Sequence, residues 1–299
     1  MKVLIIYHSG AGSTQTVARV LGRVLESVMK AEVKSISLTL KEIKDFDLKE
    51  IENADLVCFG SPTYALEPSQ TMKDFLERLP ELDIKEKPAL IFTTYGLYDG
   101  AMLKRFAKSL EQKGFRIVSY LGIKAPGSDG ALMFPEFLNR LLKVYQFEKN
   151  APLKIAKGVM EAMENLKNGS SVRVKDRPTD PVYRWLLKLE KKTYEKYKNG
   201  FWIDPSRCTN CEVCVKICPR EAWKSGEKIP IHESLHCELC LKCIHHCPEN
   251  AIGFSFNRKV LDRRKLNSKL YREWEEKLFA ETREILQDLR SKTRSSFSM

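Results

Sequence analysis

Eight cysteines stand in two groups: Cys208, Cys211, Cys214 and Cys218, then Cys237, Cys240, Cys243 and Cys247. Each group reads Cys-x2-Cys-x2-Cys-x3-Cys, and a proline follows the last thiol (Pro219, Pro248). Every cysteine of the second group lies 29 residues after its mate in the first, so the module is an internal repeat. Thiolates are soft ligands, and three on one tight loop reach three irons of one cubane. Structural zinc takes its cysteines as two separated pairs, not as triplets with a trailing Cys-Pro. Disulfide frameworks belong to short secreted chains. The pattern therefore points to iron–sulfur chemistry.

A second candidate lies near the N-terminus, where Ser9-Gly10-Ala11-Gly12-Ser13-Thr14 joins an apolar β-rich run to a helical pattern. Small residues and hydroxyls at a helix N-terminus make a phosphate cradle, because backbone N–H groups and the helix dipole favour an anion. A P-loop requires Gly-Lys-Ser/Thr, and no lysine stands here. A dinucleotide fingerprint requires a third small residue where Gln15 stands. Two later segments, Gly60–Tyr64 and Thr93–Gly100, follow further apolar runs and carry Pro62, Thr63, Tyr64, Thr94, Tyr95, Gly96 and Asp99.

The elements that must position these groups follow from periodicity. Strands are predicted at Lys2–Tyr7, Glu32–Leu38, Asp55–Gly60, Pro88–Thr94 and Phe115–Ile123. Val17, Val20, Leu21, Val24, Leu25 and Val28 mark one face of a first helix, and further helices are expected over Glu67–Leu79 and from Ala101 to Leu110, with Gly114 as a cap. Alternation of this kind predicts an α/β domain, a five-stranded parallel sheet with helices on both faces. Two more helical stretches occupy 126–167. The polar stretch from Asn168, with Pro178 and Pro181, sets a domain boundary. The resulting division is 1–167, a basic linker 168–200, the cysteine module 201–256 and a helical tail 257–299.

The first 125 residues resemble the flavodoxins. Their phosphate loop reads Thr/Ser-x-Thr-Gly-x-Thr, matched here by Ser9, Gly12 and Thr14, with Ala11 in place of the middle hydroxyl. The resemblance implies FMN held by Ser9, Gly10, Ala11, Gly12, Ser13 and Thr14, with Pro62–Tyr64 and Thr94, Tyr95, Gly96 and Asp99 flanking the ring. Residues 201–256 resemble two-cluster bacterial ferredoxins, a small α+β domain, including Trp202-Ile203-Asp204 before the first group and Ala251-Ile252 after the second. That resemblance implies two [4Fe–4S] clusters with crossed ligation. Cys208, Cys211, Cys214 and Cys247 would hold one; Cys237, Cys240, Cys243 and Cys218 the other. Glu212 and Leu241 stand where many ferredoxins have glycine. The order of the two halves resembles a family of cytoplasmic flavodoxin–ferredoxin fusion proteins, electron-transfer proteins by that resemblance.

The formal charge is +12. Two clusters and an FMN would each add about −2, leaving roughly +6. A basic protein of this kind expects acidic redox partners. No run of about 18 apolar residues occurs, and Val3–Tyr7 is too short for a signal-peptide core of about 7–15 residues, so a cytoplasmic protein is expected. The basic stretch Arg184–Lys198 carries no nucleic-acid motif, so nucleic acid is not expected as a partner. The tail is expected to pack on its own body or on a second subunit, which would make a homodimer.

Cys58 lies in an apolar strand and reads as an inert core thiol. His8 borders the phosphate loop and reads as a satisfied structural histidine. His232, His236, His245 and His246 read as neighbours of the clusters or solvated groups. No acid, base or nucleophile constellation stands out, so no catalytic residue is named. Two functions remain: a redox carrier between protein partners, or an oxidoreductase reducing a small molecule at the flavin, with a wall of Met133, Phe134 and Phe137 over the ring.

Overall fold

The computed structural model describes residues 1–80, 86–128, 136–175, 197–254, 266 and 268–296. In the N-terminal domain, β1 (Lys2–Tyr7), α1 (Ser13–Met29), β2 (Glu32–Ser37), α2 (Leu40–Lys44), α3 (Lys49–Glu52) and β3 (Leu56–Tyr64) come first. There follow β4 (Glu67–Pro68), α4 (Gln70–Arg78), β5 (Lys87–Tyr95), α5 (Met102–Glu111), β6 (Phe115–Lys124), α6 (Glu136–Leu141) and α7 (Ala151–Asn168). Five strands are parallel in the order β2-β1-β3-β5-β6, and the two-residue β4 pairs antiparallel with β3. The order reverses between β1 and β3, and ligands in open sheets bind beyond the strand C-termini at such a switch point.

Apolar side chains explain the layers. Val17, Val20, Leu21, Val24 and Leu25 of α1 pack with Ile155, Ala156 and Val159 of α7 on one sheet face. Met72, Phe75 and Leu76 of α4 and Met102, Phe106 and Leu110 of α5 cover the other. Chain direction is set by local signals. Ser69 caps α4, its Oγ accepting the Met72 N–H at 3.2 Å, and α7 carries Pro152 in its first turn and ends on left-handed Gly169.

The structure departs from the sequence expectations in detail. β3 runs four residues past Gly60, through Ser61-Pro62-Thr63-Tyr64, because Ser61 and Pro62 continue the pairing onto Thr93 and Thr94. Pairing with β1 stops at Gly60, so at Pro62 the strand is an edge on that side, where a proline is tolerated. α4 begins at Gln70, after the β3–β4 turn through left-handed Ala65 and Leu66, rather than at Glu67. Val172 and Val174, expected in the linker, still pack on the face covered by α4 and α5, and the Val172 N–H donates to Ile117 at 2.8 Å.

The cysteine module contains β7 (Phe201–Ile203), α8 (Val213–Ile217), β8 (Trp223–Lys224), β9 (Ile231–His232), a 3-10 turn at Ser234–His236, α9 (Lys242–His246) and β10 (Ile252–Phe254). β7 pairs with β10 and β8 with β9, both antiparallel. The tail forms α10 (Ser268–Ser296), which returns to the N-terminal domain. Leu278 and Leu286 join the α1/α7 core. Glu276 receives a bidentate pair from Arg23 (2.7 and 3.0 Å), whose guanidinium also lies 3.9 Å over the Phe279 ring. The tail thus packs on this chain's own body, one of the placements expected for it. Among the described residues no helix is long and apolar enough to cross a membrane.

Candidate functional site

The phosphate-loop candidate sits at the C-terminal edge of the sheet, between β1 and α1. Gly12 has φ 130°, in the region that favours glycine, and turns the chain into the first turn of α1. That turn presents N–H groups without intrahelical partners. The Gln15 N–H is taken by Ser9 Oγ at 3.2 Å. Thr14 Oγ1, in the first turn of α1, lies 2.8 Å from Thr94 Oγ1 at the end of β5, so two buried hydroxyls, one from the helix and one from a strand, meet at the helix terminus. A glycine turn, an α-helix N-terminus and paired hydroxyls fit the phosphate of FMN, through Ser9, Gly10, Ala11, Gly12, Thr14 and Thr94. The Ser13 hydroxyl is turned elsewhere, donating to the Pro126 carbonyl at 2.9 Å.

The flanking loops are tied to one another. Thr93 Oγ1 donates to the Ser61 carbonyl at 2.8 Å, so Thr63 Oγ1, also 2.8 Å away, donates to Thr93. Tyr64 reaches across to Gly10, where its hydroxyl would meet any Cβ. Tyr95 and Asp99 are instead held beside Gly122 of β6: a Cβ there would lie 3.6 Å from the Tyr95 ring and 3.0 Å from Asp99 Oδ2. Gly96 lies against Gly127.

The eight cysteines surround two cavities. One is lined by Cys218, Cys237, Cys240 and Cys243; the other by Cys208, Cys211, Cys214 and Cys247. Each combines three thiols of one repeat with the last thiol of the other. Among the described residues, no three His, Cys, Asp or Glu side chains converge as ligands of one ion do. Thiols spaced around a cavity fit a cubane better than a zinc ion. Burial pushes the Cys214 thiol up to about 11 and Cys237 to about 12, and holds Cys240 and Cys243 well above the usual thiol value. Thiols in such surroundings release their protons when a metal binds.

The repeat extends to backbone geometry. Asn210, Glu212 and Glu221 have positive φ, and so do Leu239, Leu241 and Asn250, their equivalents 29 residues on. Glu212 and Leu241, at the glycine positions of the resemblance, thus hold the left-handed turn (φ 57° and 59°) without glycine. The Ala222 N–H donates to Cys218 Sγ at 3.3 Å, and its equivalent Ala251 to Cys247 Sγ at 3.2 Å. Such N–H···S bonds tune cluster potentials.

The two halves meet at the Ser9–Thr14 loop. A Cβ on Gly10 would lie 2.7 Å from the carbonyl oxygen of Cys240 and 2.9 Å from its Cβ. Between Cys237 and Cys240, Glu238 is 2% exposed and enters the N-terminal domain. Its Oε1 lies 2.7 Å from Nε2 of the fully buried His8. Its Oε2 accepts the N–H and the hydroxyl of Thr71, each at 3.0 Å, in the first turn of α4. Burial alone would raise this carboxyl; His8, Thr71 and Arg220 outweigh it and hold it below the usual range. Around the clip, Arg220 pairs with Asp74, the Leu40 N–H donates to Pro219 at 2.9 Å, and His245 Nε2 donates to the Ser128 carbonyl at 3.2 Å. Sequence reasoning missed Glu238 and Thr71. Their types carry no signal, because a glutamate between cysteines and a threonine in a helix are both ordinary on a surface.

A doubly wound parallel sheet with a glycine-rich loop at its switch point, joined to a ferredoxin-type cysteine module, defines an electron-transfer protein. The flavodoxin family model matches residues 5–133, and the 4Fe-4S binding domain model matches 201–224. A flavodoxin of Clostridium saccharobutylicum is 29% identical over 94 residues, 31% of this chain and 56% of that protein. An uncharacterized ferredoxin of Methanocaldococcus jannaschii is 30% identical over 115 residues, 34% of this chain and 74% of that protein. The solved flavodoxin of Streptococcus pneumonia TIGR4 is 19% identical, with a TM-score of 0.40, over 57% of this chain and all of that one. The chain belongs to the ferredoxins through its C-terminal half and carries a flavodoxin domain ahead of it: it is a flavodoxin–ferredoxin fusion.

Proposed function

We propose that the chain is an electron carrier between protein partners, with FMN at the Ser9–Thr14 loop and two [4Fe–4S] clusters in the crossed cysteine sets. When bound, FMN exchanges one or two electrons and each cluster exchanges one. The observation that carries the reading is the contact of Cys240 with Gly10: a cluster ligand lies against the nucleotide loop. The Glu238 clip fixes that juxtaposition, so the two halves do not depend on a flexible tether for encounter. The Cys211 side, on an exposed residue, gives the outer cluster access to a partner. The basic balance favours an acidic partner, and the cytoplasm suits a chain whose thiols must stay reduced.

The alternative, reduction of a small molecule at the flavin, draws less support. Phe137, expected in a wall over the ring, is 68% exposed on α6, and Met133 and Phe134 lie outside the described residues. So does most of the basic stretch, 184–196. Analysis of protein purified without oxygen tests the proposal. About one FMN with eight iron and eight sulfide per chain is expected; iron without flavin would overturn the flavin half.

A further inference from the structure

We propose that the C-terminal helix is a working part of the nucleotide site, with Tyr271 of α10 as a positioning residue that sets the Gly12–Ser13 turn for the FMN phosphate. The inference rests on the reading of Ser9–Thr14 as an FMN phosphate loop.

Three contacts carry it. First, the Tyr271 ring packs on Gly12: its Cδ2 and Cε2 each lie 2.8 Å from where a Cβ would stand. Gly12 is therefore required twice, by its φ of 130° and by this ring. Second, the Tyr271 hydroxyl lies 3.3 Å from Ser13 Oγ. The Pro126 carbonyl can only accept, so Ser13 gives its proton there and Tyr271 donates to Ser13. Burial moves the Tyr271 phenol up to about 12, which keeps this donor protonated. Third, the ring is held in place from behind, with Tyr271 5.3 Å from Trp274 and Trp274 5.5 Å from Phe147, centroid to centroid.

These contacts join three distant segments: the tail, the turn into α1 and the loop after β6. With the Ser13 side chain committed to Pro126 and the Gln15 N–H taken by Ser9, the site keeps the remaining first-turn N–H groups of α1 and the Thr14–Thr94 hydroxyl pair for a phosphate. Tail docking and phosphate binding then favour the same loop conformation, so each strengthens the other.

The test uses the full chain with its clusters in place, stripped of flavin and titrated with FMN and with riboflavin, which lacks the phosphate. For Tyr271→Ala, FMN affinity is expected to fall about tenfold while riboflavin affinity changes less than about twofold. Tyr271→Phe, which keeps the ring, and Ser13→Ala, which removes the acceptor, should each lower the FMN-to-riboflavin ratio by about threefold. Unchanged iron content serves as the folding control, and the two milder variants keep the test decisive where Tyr271→Ala does not fold. Equal weakening of both ligands, or no change in the ratio, would overturn the role of Tyr271. A wild-type chain that binds FMN no better than riboflavin would instead overturn the phosphate-loop reading beneath it.

Discussion

At the residue scale, the crossed cysteine sets make the sharpest claim. Cys218 belongs to the first repeat in sequence but lines the cavity of Cys237, Cys240 and Cys243. Cys218→Ala is therefore expected to damage that cluster and spare the one at Cys208, Cys211, Cys214 and Cys247. Paramagnetic spectra of the reduced variant would show which cluster remains; loss of the other alone would refute the crossed arrangement. Glu212 offers a second residue-scale test, because a side chain in the left-handed region costs about 1–2 kcal/mol, partly offset in glycine by its greater entropy loss. Glu212→Gly should raise the melting temperature of the cluster-loaded protein by a few degrees. The equivalent Leu241 is 1% exposed and would lose packing on the same change. The ligands could be read from the sequence because their spacing is itself the chemistry. The Ser13 hydroxyl could not, because its partners Pro126 and Tyr271 lie far along the chain.

At the element scale, the clip and the tail join the two halves. Glu238 places a buried carboxylate between His8 of the β1–α1 loop and the first turn of α4. Removing one partner of a buried pair costs about 3–5 kcal/mol. His8→Ala and Thr71→Val lie away from the cysteine ligands and so probe the clip without touching a cluster. His8→Ala is expected to lower the melting temperature by roughly 5–15 °C, with cluster content retained. A melting curve unchanged from wild type would show that the clip does not hold the halves together. Arg23→Ala should cost only about 1 kcal/mol, since its pair with Glu276 lies at the surface. The strands and main helices of the N-terminal domain were readable from 2.0- and 3.6-residue periods, within a few residues at their ends. The short α2 and α3 and the two-residue β4 were not, because elements of one turn or one pair carry too little pattern to stand out. The tail was readable as a helix, but its sequence names no surface for it; the fold shows Leu278 and Leu286 packed with α1 and α7.

At the scale of the whole molecule, the two halves pack together at the Ser9–Thr14 loop. Gly10 and Gly12 are the meeting points: Cys240 covers one and Tyr271 the other. Neither glycine could have foretold this, because a phosphate loop needs small residues for its own turn. The arrangement predicts that the isolated residues 1–175, lacking both covers, bind FMN more weakly than the full chain, as flavin titration would show. The most direct measurement is the kinetics of electron equilibration after a light pulse reduces part of the cluster-loaded, flavin-loaded protein. Flavin and cluster absorbance are expected to relax together in a first-order process whose rate does not change with protein concentration. A rate proportional to protein concentration would mean that electrons pass only between separate molecules, and would contradict the claim that Cys240 and Gly10 bring the two cofactors together within one chain.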